Sequence, residues 1–232
     1  MPGATGPCTV YPSGPEIPQT LLRIVIVFEA PVHAPLFARL RLRYDDGTAA
    51  MYALVQQELW SPDQRTLTLL LHPSRVKSGT VGHETLGRAL RPGEGISLEL
   101  DGRRRKRWHV VAEPWKAPSP ERWVLQAVAA CSAEPLCIDL VDPIDALSRD
   151  LIKVVAGQQP VPGRVSLARG ERGWRFWPAE PWDAERDYRV YVHPRLENPC
   201  GDQVGEPLEH ASGAGLGARR RSTVLPVAVL GA

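Results

Sequence analysis

The chain has 232 residues, and its 28 Lys and Arg against 26 Asp and Glu give a formal net charge of +2. So balanced a charge excludes a global electrostatic attraction to nucleic acid or to an anionic membrane. The length suits two domains of ordinary size, and the 23 prolines and 20 glycines between apolar runs predict many turns and short strands.

The N-terminal part of the chain predicts a series of strands. Residues 8–11 form a candidate first strand, and the nearly continuous apolar run over 21–28 is typical of a central strand covered on both faces. From Leu36 to Tyr44, apolar residues alternate with three arginines, which predicts a strand with one solvated face. An Asp-Asp-Gly turn ends that strand, and residues 51–59 are expected to pair back onto it.

The stretch from Glu58 to Arg75 predicts a β-hairpin and the strand that leaves it. Its turn is Ser61-Pro62-Asp63, because proline fixes φ at the second turn position and aspartate bonds its own backbone. Residues 66–71 are a short apolar run bounded by breakers, which favours a strand. The pair His72-Pro73 ends this strand, since a proline has no N–H to donate to the sheet.

The rest of the first half contains one long connection and one hairpin. Residues 76–95 form the longest irregular connection, and the Asp101-Gly102 turn predicts a final hairpin with strands at 96–100 and 107–112. Residues 113–121 contain three prolines, which predicts a semi-rigid linker between two domains.

The second half again alternates short apolar runs with turn signals. A short helix is expected to begin at Asp142, with this aspartate as the N-cap and Pro143 at the first helical position. Residues 209–221, rich in Gly and Ala, predict a mobile loop. The candidate strands are 136–141, 151–155, 164–168, 174–177, 188–192 and a closing strand at 224–230.

A short pattern of the first half recurs in the second. The apolar run that begins at Tyr188 stops at His193-Pro194, as the earlier strand stops at His72-Pro73, and a polar, glycine-containing loop follows each copy. The recurrence predicts two related β domains in tandem. It also predicts equivalent structural positions for the two histidines, each forming a capping hydrogen bond to the loop that follows it.

Three segments together resemble a known family: Leu59–Pro73, Trp174–Trp182 and Tyr188–Pro207. They are similar to the bacterial Ig-like domains of S-layer and other cell-surface proteins. In those domains a P-x-x-x-W-x-x-G-x-Y stretch leads into a strand and a D-x-x-G-N loop follows it. Residues 181–188 and 198–202 approximate these motifs, with Asp187 in place of the glycine and Cys200 within the loop.

The resemblance is best over residues 130–208 and weaker over 20–112. It implies an all-β protein of two immunoglobulin-like β-sandwich domains in tandem, at 1–113 and 122–232, joined by a Pro-rich linker at 114–121. The resemblance also implies a role as a spacer, an adhesion element or an accessory domain, and it brings no catalytic residues with it. Fold-level analogy of this kind says little about function.

One loop carries a candidate metal site. His83 and Glu84 lie in the longest loop of the first half, and an imidazole beside a carboxylate is suited to holding a metal or moving a proton. His72 and His109 are the candidate further ligands, because strand ends converge at one pole of a sandwich. The alternative is that these histidines are structural, and the sequence names no cofactor.

Two tryptophans are candidate ligand-binding residues. Trp60 stands beside its hairpin turn, and Trp177 faces the opposite way from Trp174 along the same strand. Either ring has the rigid area to stack on a sugar or a peptide, and the alternative is packing within the core. The basic run at 103–107 has no interleaved aromatic residue, which favours a solvated hairpin over a nucleic-acid site.

The cysteines and the N-terminal residues leave the compartment open. Cys8, Cys131, Cys137 and Cys200 lack metal-site spacing, and both a Cys137–Cys200 disulfide and free thiols fit the sequence. No signal peptide is visible, and no apolar run reaches the about 20 residues of a membrane span. The resemblance nevertheless implies an extracytoplasmic or cell-envelope location.

The sequence therefore predicts a non-catalytic structural or interaction module of the cell envelope or extracellular space. Its partner is a protein or a glycan and not a nucleic acid. The two alternatives are a metal-binding protein or metal-dependent enzyme that uses the His83-Glu84 loop, and a carbohydrate-binding accessory protein that uses exposed tryptophans. The oligomeric state is not indicated.

Overall fold

A computed structural model of the protein describes residues 6–76, 87–205 and 222–231. The predicted loop at 209–221 and half of the predicted connection at 76–95 lie outside these ranges. The chain divides into two compact units, Met1–Pro114 and Trp115–Ala232. Strands make up most of the regular structure in both units, so the protein is all-β.

The first unit contains two sheets and little helix among its described residues. Its strands are β1 (Cys8–Tyr11), β2 (Glu16–Pro18), β3 (Arg23–Phe28), β4 (Leu40–Tyr44), β5 (Leu59–Trp60), β6 (Thr66–Leu70), β7 (Gly95–Leu100) and β8 (Arg103–Val111). A 3-10 turn at Phe37–Arg39 precedes β4, and the short helix α1 (Pro73–Val76) follows β6.

The order of the strands identifies the first unit as an immunoglobulin-like sandwich. One sheet has the order β1-β3-β6-β5 and the other β2-β8-β7-β4. When the strands are lettered in chain order, the first sheet contains strands A, B, E and D and the second contains strands C, F and G. This is the immunoglobulin arrangement. The remaining strand, β2, pairs in parallel with the last strand, β8.

The core of the first unit lies between the inner faces of its sheets. Ile24 and Ile26 of β3, Leu67 of β6 and Leu98 of β7 are at most 1% exposed. Alternation places such residues inward on each strand and leaves polar residues outward. Trp108 is fully buried, and its indole N–H donates to the Pro12 carbonyl at 2.8 Å.

The second unit is built from a longer series of short strands. They are β9 (Val124–Leu125), β10 (Val128–Ala129), β11 (Leu136–Asp139), β12 (Ile152–Ala156), β13 (Gln159–Pro160), β14 (Gly163–Ala168), β15 (Gly173–Pro178), β16 (Tyr188–Val192), β17 (Thr223–Pro226) and β18 (Val229–Leu230). The 3-10 turns are Pro120–Arg122 and Ala146–Leu151.

The second unit repeats the same topology. Its sheets have the orders β14-β15-β11-β9 and β13-β12-β16-β17, and β10 pairs in parallel with β18. These are again strands D, E, B and A facing strands C′, C, F and G. The protein is thus a tandem of two immunoglobulin-like β-sandwiches.

Aromatic side chains fill the core of the second unit. Trp174 stacks on Phe176 with ring centroids 6.0 Å apart, and Trp182 meets Tyr188 edge-on at 5.0 Å. Tyr188 begins strand F, and its hydroxyl accepts from the backbone N–H of Asp183 at 3.4 Å. Such a return bond at the start of strand F is the tyrosine corner of immunoglobulin-like sandwiches.

Part of the proline-rich stretch packs within the second unit. The Lys116 carbonyl accepts from the side-chain amide of Asn198 at 3.2 Å, and the Pro118 carbonyl accepts from the Gly205 N–H at 3.3 Å. Trp115, Pro118 and Pro120 are buried. The side chain of Asn198 thus fixes this stretch against the loop that follows β16.

Three local predictions were wrong. The solvated strand begins only at Leu40, because Phe37–Arg39 forms a 3-10 turn before it. Residues 51–59 do not pair back onto β4; Leu54 bridges Leu71 instead, at the end of β6. The second-half helix is a 3-10 helix over Ala146–Leu151, and its N-cap is Asp145, whose carboxylate accepts from the Leu147 N–H at 2.7 Å.

The two His-Pro sites are not equivalent in the fold. β6, which precedes His72, is strand E and pairs with β3 and β5. β16, which precedes His193, is strand F and pairs with β12 and β17. The recurrence therefore predicted two β domains in tandem correctly, although it relates two different strands of the fold.

The structure also describes the helices and the cysteines that the sequence analysis considered. Among the described residues, no helix is long and apolar enough to cross a membrane. All four cysteines are thiols that form no disulfide, and Cys200 is the buried one among them. Burial raises the pKa of the Cys8 thiol, and the nearby Arg105 partly opposes that effect.

Candidate functional site

The predicted metal ligands are distributed over different parts of the first unit. His72 is exposed at the end of β6 in one sheet, and His109 is exposed on β8 in the other sheet. His83 and Glu84 lie outside the described residues. No group of three or more His, Cys, Asp or Glu residues that would suit a metal ion occurs within the described ranges. The four-residue metal site stays a prediction.

The two His-Pro histidines do form the predicted capping hydrogen bonds. Nδ1 of His72 accepts from the Ser74 N–H at 3.3 Å, and Nδ1 of His193 accepts from the Arg195 N–H at 3.1 Å. Each bond ties the imidazole to the loop that follows its own strand. A local sequence signal thus predicted a local contact correctly even though the two strands differ.

Trp60 is held by structural contacts. Its indole N–H donates to Oε2 of Glu58 at 2.7 Å, and its ring lies 5.8 Å from that of Phe28. The other carboxylate oxygen of Glu58 accepts from the N–H groups of Leu36 and Phe37 at 2.6 and 2.5 Å. Glu58 therefore links the hairpin to the 3-10 turn before β4, and Trp60 is part of that link.

Trp177 lies half-buried on the outer face of its sheet. The Arg164 guanidinium stands over the indole ring, 4.1 Å from its centroid, because the two residues are direct neighbours on β14 and β15. This cation–π contact covers one face of the ring that a sugar would stack upon. The ligand-binding role of Trp60 and Trp177 stays a prediction.

A cluster of arginines that no local sequence pattern predicts lies on the first unit. On the outer face of the β4-β7-β8 sheet, Arg41 stands opposite Glu99 and Arg43 opposite Ser97. On the other side of β7, Glu99 stands opposite Arg104 and Ser97 opposite Arg107. Directly opposed residues share a face of an antiparallel sheet. We call these four arginines the arginine face.

Two of the four arginines are paired with carboxylates. Arg43 bonds Glu99 at 3.0 Å, and Arg107 bonds Asp45 at 2.9 and 2.5 Å. The hydrogen bond from Arg107 is the main reason why the pKa of Asp45 is lowered. The same bond raises the pKa of Arg107, so both groups carry their charges at neutral pH.

The other two arginines keep an uncompensated charge. Arg41 donates to its neighbouring Leu40 carbonyl at 2.7 Å, and neither Arg41 nor Arg104 has an ion pair with any described residue. Both are exposed and flank Glu99, whose carboxylate is already bonded to Arg43. The face therefore presents an excess of positive charge on a rigid three-stranded surface.

The sequence predicted the two sets of arginines in this face separately, but it did not predict that they lie side by side. The alternation over 40–44 predicted outward arginines, and the run at 103–107 was predicted to be a solvated hairpin. Residues 103–107 are in fact the first half of β8, with a bulge opposite Leu98 and Glu99. Only the pairing of β7 with both neighbours brings the two sets together, and no local pattern contains that information.

No protein-family model matches this sequence, and no curated protein matches it. Among solved structures, the Ig1-2 module of Drosophila receptor protein tyrosine phosphatase DLAR is 12% identical, with a TM-score of 0.28, covering 97% of this chain and 99% of that one. Domains 5-6 of the S-layer protein SbsC are 8% identical, with a TM-score of 0.27, covering 96% and 97%. Murine CEACAM1b is 9% identical, with a TM-score of 0.26, covering 93% and 96%.

Proposed function

We propose that this chain is a non-catalytic interaction module of the cell envelope or extracellular space, and that it binds its partner through the arginine face. The observation that carries the proposal is the uncompensated charge of Arg41 and Arg104 on the outer face of one sheet. Surface charge of one sign steers a partner of the opposite sign and fixes its orientation.

The rigidity of the sandwich supports a binding role for this face. Leu42 and Leu98 are at most 4% exposed, and they hold β4 and β7 against the core directly beneath the arginines. Because the backbone of these strands is already fixed by packing, only the arginine side chains lose conformational freedom when a partner docks. The guanidinium fork also matches carboxylate geometry with two parallel hydrogen bonds.

The location is supported by the sequence resemblance to bacterial cell-surface Ig-like domains. The motif that carries this resemblance includes Tyr188, whose ring and hydroxyl both have structural contacts in the second unit. The S-layer type and the envelope location both remain part of the proposal.

Binding of fluorescently labelled chain to intact cells and envelope fractions of the source organism tests the proposal. The wild-type chain is expected to bind saturably, and an R41E/R104E variant is expected to lose most of that binding. An R175E/R195E variant, with two exposed arginines reversed on the second unit, is the matched control and should bind like wild type. Fractionation of source cells should place the endogenous protein outside the cytoplasm.

Two results would overturn the proposal. The first is a purely cytoplasmic endogenous protein that shows no saturable binding to any envelope fraction. The second is an equal loss of binding in both charge-reversed variants. That result would mean that binding depends on the net charge of the chain and not on the arginine face. Near-ultraviolet circular dichroism of each variant verifies that both units remain folded.

A further inference from the structure

Building on the proposed function, we infer that a protein partner inserts an apolar side chain into a cleft beside Arg41 and meets Arg41 with an adjacent carboxylate. The cleft has a volume of about 300 Å³, and its lining includes residues 40–42 of β4 and residues 49–54. We call it the edge cleft. Its volume lies at the lower end of the range for ligand pockets, which suits one inserted side chain of a larger partner.

The hydrogen bonds of β4 place Arg41 at this cleft. The Leu42 carbonyl accepts from the Ala50 N–H at 2.8 Å, so the peptide groups of Leu42 point away from β7. Leu40 points the same way, because hydrogen-bonding direction alternates along a strand. The Arg41 guanidinium donates to the Leu40 carbonyl at 2.7 Å. This bond holds the charged group at the open edge of the strand, beside the edge cleft.

Two consecutive exposed apolar residues line the cleft. Met51 is 57% exposed and Tyr52 is 63% exposed. Single exposed apolar residues are normal on a protein surface, but neighbouring ones around a cavity are typical of an interaction site. Tyr, Met and Arg are also residue types that are enriched at protein–protein interfaces. The composition of the edge cleft therefore favours a protein as its occupant.

The segment that carries Met51 and Tyr52 is fixed before a partner binds. Arg75, which is 4% exposed, donates to the Met51 carbonyl, and the Ala53 carbonyl accepts from the His72 N–H at 2.8 Å. Between these two bonds, Tyr52 has a φ of +54°, in the left-handed region that residues other than glycine rarely adopt. Its backbone is thus held while its side chain stays exposed, and a preorganised group loses less freedom on binding.

The charges at the cleft favour an acidic residue next to the inserted side chain. No Asp or Glu lines the cavity within the described part of the chain. Glu99 stands opposite Arg41 on β7, but its carboxylate is bonded to Arg43. The Arg41 guanidinium has further donors besides the one bonded to Leu40, and their geometry matches a carboxylate. This ion pair is exposed, so its contribution is modest and falls as salt is added.

An NMR titration of the isotope-labelled full chain with short peptides tests the inference. The first peptide is acetyl-Ser-Phe-Glu-Ser-amide, the second replaces its Glu by Gln, and the third replaces its Phe by Ser. The first peptide should shift the amide signals of residues 41 and 49–54 and leave those of the second unit unchanged. The second and third peptides should each bind several-fold more weakly, because each lacks one of the two recognised groups.

Two matched variants locate the binding surface. M51S/Y52N removes both exposed side chains, and asparagine tolerates the left-handed backbone at position 52. V124S/L230S is the control, since it removes two similarly exposed apolar side chains, 61% and 58%, from the second unit. M51S/Y52N should bind the first peptide and envelope fractions about tenfold more weakly, and the control should match wild type. If near-ultraviolet circular dichroism shows that M51S/Y52N misfolds, Y52N replaces it and should still weaken binding.

The outcomes separate this inference from the proposed function. The inference is overturned by equal affinity for the three peptides, or by unshifted amides at residues 41 and 49–54 with the first peptide at its solubility limit. It is also overturned if M51S/Y52N binds envelope fractions like wild type; loss of that binding in R41E/R104E would then leave the interaction module standing. Binding of dodecanoate in place of the first peptide has the same consequence. A chain that binds neither the peptides nor envelope fractions contradicts both proposals.

Discussion

Glu58 offers the sharpest test of how the first unit is held together. Its carboxylate accepts three hydrogen bonds, from the N–H groups of Leu36 and Phe37 and from the indole of Trp60. These donors belong to two segments that are distant in sequence, the hairpin and the 3-10 turn before β4. Substitution of Glu58 by alanine leaves all three donors without this acceptor.

The size of the effect follows from the charge of the acceptor. A hydrogen bond to a charged group contributes about 1.5–3 kcal/mol net to the free energy of unfolding. Because this site is partly exposed, water replaces some of the hydrogen bonds that the substitution removes. The Glu58→Ala change should therefore lower the free energy of unfolding of the first unit by about 2–4 kcal/mol. Glu58→Gln keeps one acceptor oxygen and should cost about half as much.

Urea unfolding and amide hydrogen exchange measure this effect together. Protection of the Leu36 and Phe37 amides should fall sharply in Glu58→Ala, because these two N–H groups lose their acceptor. Glu134→Ala is the control, since its exposed carboxylate accepts from Ala129 at 3.2 Å and should contribute less than about 1 kcal/mol. Unchanged protection at residues 36 and 37, with a stability loss no larger than in the control, would refute the three-donor argument.

Three more perturbations test other parts of the structure. Trp174→Ala removes a side chain that is 0% exposed and should destabilise the second unit by about 3–5 kcal/mol in urea titrations, with Trp174→Phe milder. Gly163→Ala should cost about 1–3 kcal/mol in the same titration, because its Cβ would lie 2.4 Å from the Phe176 ring; no loss would contradict the packing. The pKa of Asp45 lies below its ordinary 3.8, so its stabilising contribution is present above that value and is lost as the pH falls through the lowered pKa. A carboxyl NMR titration should show this pKa rising toward 3.8 in Arg107→Ala, and an unchanged value would contradict the ion pair.

The sequence predicted the turns and strands whose signals are local. At Asp101 and Gly102, the backbone adopts φ values of +58° and +69°, as a two-residue hairpin turn with both central residues left-handed requires. The alternation over 40–44 was confirmed, because one face of β4 covers the core. The hairpin at Ser61-Pro62-Asp63 was confirmed for the same kind of local reason.

The predictions failed where pairing between segments that are distant in sequence decides the structure. Residues 51–59 were expected to pair with β4, yet Leu54 bridges Leu71, because the chain crosses from one sheet to the other between strands C and D. The two His-Pro sites share a local cap but lie on strands E and F. Register between non-neighbouring segments has no local signature, and for this reason the arginine face was not predicted as a unit.

Arginine-specific chemical modification, read by mass spectrometry, tests whether the arginine face is the binding surface. The chain is treated with phenylglyoxal alone and in the presence of its captured envelope partner. The partner is expected to slow modification of Arg41, Arg43, Arg104 and Arg107 together, while Arg175 on the second unit should react at the rate measured without the partner. Equal reactivity of the four arginines with and without the partner would show that this face is not the binding surface.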